Sequence, residues 1–112
     1  MKYDHSGFNP EYGEEEPTRE QISGLVDDTI LAFGAPWCGH CKAAEPAVQE
    51  VLMGHPELRH IKIYDGKGKP LGRLFRVTLW PTLILLRSGK EVARLVRPTL
   101  ANEIRRLVEK YE

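Results

Sequence analysis

The hydrophobic pattern of the chain changes period from segment to segment, and each change marks an element. Thr29-Ile30-Leu31-Ala32-Phe33 is a short, continuous apolar run, as expected of a strand buried on both faces inside a parallel or mixed sheet. His60 to Tyr64 alternates, with Ile61 and Ile63 on one side, and reads as a second strand. Thr82-Leu83-Ile84-Leu85-Leu86 and Glu91-Val92-Ala93-Arg94-Leu95-Val96 flank Arg87-Ser88-Gly89-Lys90 and predict a β-hairpin. Between His40 and Met53, Ala44, Ala47, Val48, Val51 and Leu52 recur at helical spacing, and Gly54-His55-Pro56 marks the stop. Pro46 falls inside this helix and should kink it. Thr18-Arg19-Glu20-Gln21 has capping-box spacing for a short helix running to about Leu25. Leu71 to Arg76 suits another short helix. Thr99 is placed to cap a last one, with Leu100, Ile104, Leu107, Val108 and Tyr111 in one stripe.

The order is helix, strand, helix, strand, short helix, strand, strand, helix. Two strands joined through a helix run parallel with a right-handed crossover, whereas hairpin strands are antiparallel. The expected fold class is therefore α/β: a small mixed sheet of about four strands with helices on both faces. Residues 1–17 mix polar and aromatic side chains with Pro10, Gly13 and Glu14-Glu15-Glu16-Pro17. Such a run buries little, and an acidic tail that is mobile or laid loosely on the domain is expected there, with residues 18–112 forming one domain. A chain of 112 residues is long enough for one core and too short for two.

Composition narrows the function. With 41% hydrophobic and 29% charged residues the chain is an ordinary globular one. Sixteen basic and sixteen acidic side chains cancel, which argues against nucleic acid or an anionic membrane as the main partner. No apolar run approaches the ~20 residues that span a bilayer. The polar start, Met1 to Gly7, lacks the apolar stretch of a secretory leader, so a cytoplasmic location is expected, and a monomer with it.

The chain has two cysteines, Cys38 and Cys41, separated by two residues. A disulfide that closes so small a loop adds little stability, so chemistry explains the pair better than cross-linking. Cys38 follows a buried strand and precedes a helix, which puts its sulfur at the helix N-terminus. Unpaired amides and the positive end of the dipole favour a thiolate there. Cys41 lies nearly one turn on, roughly 5–6 Å away between Cα atoms, within reach of a disulfide. Cys38 can then attack a disulfide, and Cys41 can resolve the mixed disulfide. A structural zinc site needs four ligands, and His5, His40, His55 and His60 form no recognisable second pair. No metal and no cofactor are expected beyond the cysteine pair itself.

Phe33-Gly34-Ala35-Pro36-Trp37-Cys38-Gly39-His40-Cys41-Lys42 closely resembles the active site of the thioredoxin superfamily, and the Cys-Gly-His-Cys tetrad looks like that of its protein disulfide isomerase branch. The resemblance extends over residues 18–112. Pro46 matches the kinking proline of the family's active-site helix, Trp80-Pro81-Thr82 its cis-proline motif, and Gly89 the glycine of its last hairpin. By resemblance Pro81 is cis and packs against the cysteines, while the preceding backbone pairs with substrate. Trp37, Gly39 and Trp80 are then substrate-contacting residues, although core packing is an equally plain reading of Trp80. The implied partners are protein disulfides and an upstream reductase or thiol donor.

Several positions depart from the family. Where it has a buried Asp or Glu six residues before the first cysteine, assisting proton transfer at the second, this chain has Ala32. Glu45, four residues after Cys41, is the candidate for the missing base, against the plainer reading of an exposed helical Glu. His40 replaces the proline of ordinary thioredoxins. When protonated it adds positive charge beside Cys38, favouring the reduced form and a potential above thioredoxin's about −270 mV. Arg97-Pro98 stands where the family commonly has a glycine beside the active site. The expected function is a cytosolic disulfide reductase working through Cys38 and Cys41. The alternative is a binding or chaperone module on the same fold with little turnover.

Overall fold

The computed structural model describes residues 7–13 and 15–110. Its elements are α1 (Arg19–Ser23), β1 (Thr29–Gly34), α2 (Gly39–Met53), β2 (Arg59–Tyr64), α3 (Pro70–Leu74), β3 (Thr82–Arg87), β4 (Lys90–Val96) and α4 (Ala101–Lys110). The sheet order is β2-β1-β3-β4. β1 runs parallel to β2, with Phe33 opposite Ile63, and antiparallel to β3, with Ala32 opposite Leu83. All six β1 residues are buried, because β1 is flanked by strands on both edges and covered on both faces. On one face Ile30, Ala32, Leu83 and Leu85 meet Val48, Val51 and Leu52 of α2 and Ile104 and Leu107 of α4. On the other, Leu31, Phe33, Ile63 and Ile84 meet Ile22 of α1 and Leu71 of α3. This is the expected mixed α/β architecture of the thioredoxin fold.

Local signals account for the element ends. Thr18 Oγ1 accepts from the Gln21 amide at 3.1 Å, and the Gln21 side chain accepts from the Thr18 amide at 2.9 Å, so both halves of the capping box form. In the β3–β4 hairpin Ser88 and Gly89 have φ of 52° and 76°, the left-handed pair of a tight two-residue turn. A Cβ on Gly89 would run into the Ser23 carbonyl, so the turn also packs against the end of α1. Pro46 lies inside α2 and has no amide to offer the Lys42 carbonyl.

One expectation is corrected. Leu100 is 62% exposed and lies outside the α4 stripe, which consists of Ile104, Leu107 and Val108. The chain before α4 turns there, and Glu103 accepts from the amides of Thr99 and Leu100 at 3.2 and 3.1 Å. Within the expected tail, residues 7–12 pack against the domain along β2. The Gly7 amide donates to the Leu58 carbonyl at 2.6 Å, the buried Asn9 donates its amide to His60 Nδ1 at 2.8 Å, and Tyr12 forms a parallel bridge with Lys62. Phe8 packs on the core. Composition marks this stretch as polar, but its aromatic residues find apolar surface and its backbone finds the open edge of β2. Residues 1–6 and Glu14 of the expected tail, with His5 among them, and Tyr111 of the expected stripe lie outside the described residues.

Candidate active site

The C-terminal end of β1, the start of α2 and the loop before β3 converge at one end of the sheet. Cys38 is the N-cap of α2, with extended backbone, and its Sγ accepts from the Cys41 amide at 3.2 Å. The first amides of a helix have no partner within it, and here one of them points at sulfur. Cys38 is 7% exposed, Cys41 is partly exposed, and both thiols are free. Burial, followed by its hydrogen bond with Cys38, pushes the Cys41 thiol up to about 11, against the lowering pull of the Ala35 backbone and the Tyr12 side chain. At neutral pH Cys41 is therefore held as the neutral thiol.

The two cysteines have different surroundings. Cys41 faces a cavity of about 60 Å³ whose lining includes Tyr12, Ala32, Glu45, Lys62 and Pro81. Ala32 is 9% exposed, so the position where the resemblance leads one to expect an acid is a buried methyl group on this wall. Gly34 is required by close approach: a Cβ there would lie 2.5 Å from Cys41 Sγ and 3.0 Å from the Tyr12 hydroxyl. Glu45 does reach the cavity, where Glu45 Oε1 accepts from Lys62 Nζ at 3.2 Å.

The opposite side of the dithiol is aromatic. The Trp80–Pro81 peptide bond is cis. Trp37, 64% exposed, meets Trp80 edge-on with centroids 5.4 Å apart. Each indole is tied from the β2 end: Trp37 Nε1 donates to the Tyr64 hydroxyl at 3.2 Å, and Trp80 Nε1 donates to Asp65 at 2.8 Å. Trp80 is thus neither a core residue nor a free one, but half of a braced platform. His40 and Gly39 are exposed on the first turn of α2, and a Cβ on Gly39 would meet open space. Arg97, with φ of 52°, donates from its amide to the Pro81 carbonyl and from Nε to the Trp80 carbonyl, both at 2.8 Å.

Cys38, His40, Cys41, Trp37, Trp80 and Pro81 thus come together, with Glu45 behind them. Sequence reasoning missed Tyr12 and Asp65. Tyr12 lies 26 residues before Cys38 in a stretch of tail-like composition, and nothing local announces its approach. Asp65 lies just beyond the alternating run that ends at Tyr64, outside any predicted element. Among the described residues no three His, Cys, Asp or Glu side chains gather where they could hold a metal ion.

Comparison with known proteins agrees with this geometry. The family model described as Thioredoxin matches residues 14–110. Thioredoxin from Chlamydia trachomatis is 33% identical over 91 residues, covering 80% of this chain and 85% of that protein. Thioredoxin H2-1 of Oryza sativa is 34% identical over 67 residues, and the chain spans about half the length of such plant relatives, 49% in this case. Among solved structures, thioredoxin 2 from Pseudomonas aeruginosa PAO1 in its reduced form superposes with a TM-score of 0.83 at 45% identity, covering 92% of this chain and 95% of that one.

Proposed function

The chain belongs to the thioredoxin family, and on that premise we propose that it is a thiol–disulfide oxidoreductase that reduces protein disulfides through Cys38 and Cys41. The strongest support is the Cys41 amide donating to Cys38 Sγ at the α2 N-terminus, 3.2 Å away. A donor aimed at sulfur stabilises the negative charge that a nucleophilic thiol must carry, whereas Cys41 is held neutral at rest. Cys38 attacks a substrate disulfide, one substrate sulfur leaves with the electron pair, and a mixed disulfide forms. Cys41 loses its proton and attacks Cys38 Sγ, closing the Cys38–Cys41 disulfide and expelling the second substrate thiolate. An upstream reductase or thiol donor then returns the pair to the dithiol.

In this reading His40 adds positive charge beside Cys38 when protonated. Trp37 and Trp80 offer an apolar platform to the substrate chain, beside Gly39, whose small size leaves room. The backbone at Pro81 lies alongside. Glu45, on the cavity behind Cys41, is proposed as acceptor of the proton that Cys41 releases; an unchanged pH dependence of Cys41 attack in Glu45→Gln removes that role. The cysteine pair needs no further cofactor. A monomer acting in the cytoplasm as a reductant suits a chain whose two cysteines are both committed to exchange, and its balanced charge suits protein substrates over nucleic acid or membrane. Among the described residues no helix is long and apolar enough to cross a membrane.

The test is dithiothreitol-driven insulin reduction, paired with Cys41→Ser. Turnover in the wild type, and a trapped mixed disulfide in Cys41→Ser but not in Cys38→Ser, is the expected result. No turnover above background with both cysteines reduced would favour a binding or chaperone module instead.

A further inference from the structure

We propose that Tyr12 is the hydrogen-bond donor that stabilises the Cys41 thiolate during the resolving step, so that the N-terminal segment completes the active site from outside the strand–helix unit. This rests on the exchange reaction proposed above. The Tyr12 hydroxyl and the Cys41 thiol crowd the same space over Gly34, 3.0 and 2.5 Å from where its Cβ would lie, and both line one cavity. Burial first, and the neighbouring thiols after it, raise the Tyr12 phenol well above its ordinary value. The phenol therefore stays protonated through the working pH range and acts as a donor, not as a base. Its effect on Cys41 is to favour the thiolate, opposing the burial that disfavours it.

The segment is fixed firmly enough to hold a phenol in place. Lys62 Nζ sits 4.3 Å from the centroid of the Tyr12 ring and also donates to the Pro10 carbonyl at 3.0 Å and to Glu45 at 3.2 Å. The Tyr64 ring meets Tyr12 edge-on at 6.0 Å. One cation thus ties the segment, β2 and α2 together around the Cys41 cavity. Charged or titratable groups facing this cavity are Tyr12 from the segment, Cys41, Lys42 and Glu45 from α2, and His60 and Lys62 from β2, with Cys38 at the α2 cap. β1 and β3 contribute only residues with apolar side chains there, Ala32, Phe33 and Leu83. His60 accepts the Asn9 amide at Nδ1, and Glu45 is engaged by Lys62. Of these groups Tyr12 is the one whose hydroxyl shares the space over Gly34 with the Cys41 sulfur.

In the resolving step the Cys41 S–H bond is lost to solvent or a nearby base. The sulfur's electron pair forms the bond to Cys38 Sγ, and the Cys38–substrate S–S bond breaks with its electrons on the leaving sulfur. Tyr12 keeps its proton throughout and lowers the energy of the transient thiolate.

The experiment starts from the full chain carrying 2-nitro-5-thiobenzoate as a mixed disulfide on Cys38, and follows release of the coloured thiolate against pH. Release in the wild type reports Cys41 attack directly. In Tyr12→Phe, which keeps the ring over Lys62, release should slow about tenfold at pH 7 and its midpoint should rise by about one pH unit, with an unchanged rate above the midpoint. Placing 3-fluorotyrosine at position 12, a more acidic and stronger donor, should move the midpoint down. Unmoved midpoints in both variants, including a uniform slowing at every pH, would overturn the role of Tyr12 and leave Cys38–Cys41 exchange standing. No release from the wild type would instead sink the exchange reading, and this inference with it.

Discussion

Cys38 Sγ accepts a hydrogen bond from the Cys41 amide at 3.2 Å, while the Cys41 thiol turns to the cavity behind it. The two sulfurs of one short motif thus have different surroundings. Cys41 ionises at about 11 in the folded protein, against an ordinary value of 9.0. A raised value means that its contribution to stability is complete below pH 9 and is lost as pH rises through about 11. The melting temperature of the reduced protein should therefore fall more steeply over that window than that of Cys41→Ala. Tyr12 is raised in the same direction from 10.0 and adds to the slope in both proteins. Equal slopes would show that Cys41 does not carry the effect.

Gly34 leaves no room for a methyl group, because its Cβ would fall 2.5 Å from Cys41 Sγ. Gly34→Ala should cost about 1–3 kcal/mol through overpacking and slow the resolving step by displacing Cys41. Gly39→Ala, with open space around its Cβ, should change stability by no more than about 0.5 kcal/mol. Urea denaturation of the two variants makes the comparison.

Asp65 is 7% exposed and holds both the Trp80 indole at 2.8 Å and the Gly66 amide at 2.9 Å. Removing it leaves those donors without their acceptor. Asp65→Ala should destabilise the protein by about 1–3 kcal/mol and raise KM for insulin more than it lowers kcat, since the Trp37–Trp80 platform loses a brace. An unchanged KM would separate Asp65 from substrate docking.

Arg97 occupies the Trp80 carbonyl from Nε at 2.8 Å, the carbonyl next to Pro81. A substrate strand pairing there has to share or displace that donor. Arg97→Ala should therefore lower KM for an extended peptide disulfide, by up to about tenfold for one charge-assisted hydrogen bond. A higher KM would mean that the guanidinium binds substrate instead.

His40 is exposed on the first turn of α2, two residues after Cys38, where an imidazolium would add positive charge at the helix N-terminus. His40→Pro should lower the reduction potential of the pair toward about −270 mV. Equilibration against glutathione at pH 7 measures it, and a potential that does not fall would remove His40 as the tuning group.

Much of this protein follows from local pattern. The continuous apolar run of β1, the alternation of Ile61 and Ile63, the capping box at Thr18 and the turn at Ser88-Gly89 each depend on residues a few positions apart, so the chain itself specifies them. The Cys38-Gly39-His40-Cys41 tetrad likewise follows from a buried strand running into a helix. Tertiary structure alone decided what stands behind Cys41. Ala32 stands where the resemblance leads one to expect a carboxylate, but its identity does not say what lies beside the thiol. Tyr12 arrives from 29 positions earlier because the edge of β2 offers its backbone a bridge and Lys62 offers its ring a cation. Such long-range contacts have no period, spacing or cap to announce them. They form only when strand order leaves one edge open and the core leaves one cavity beside a thiol.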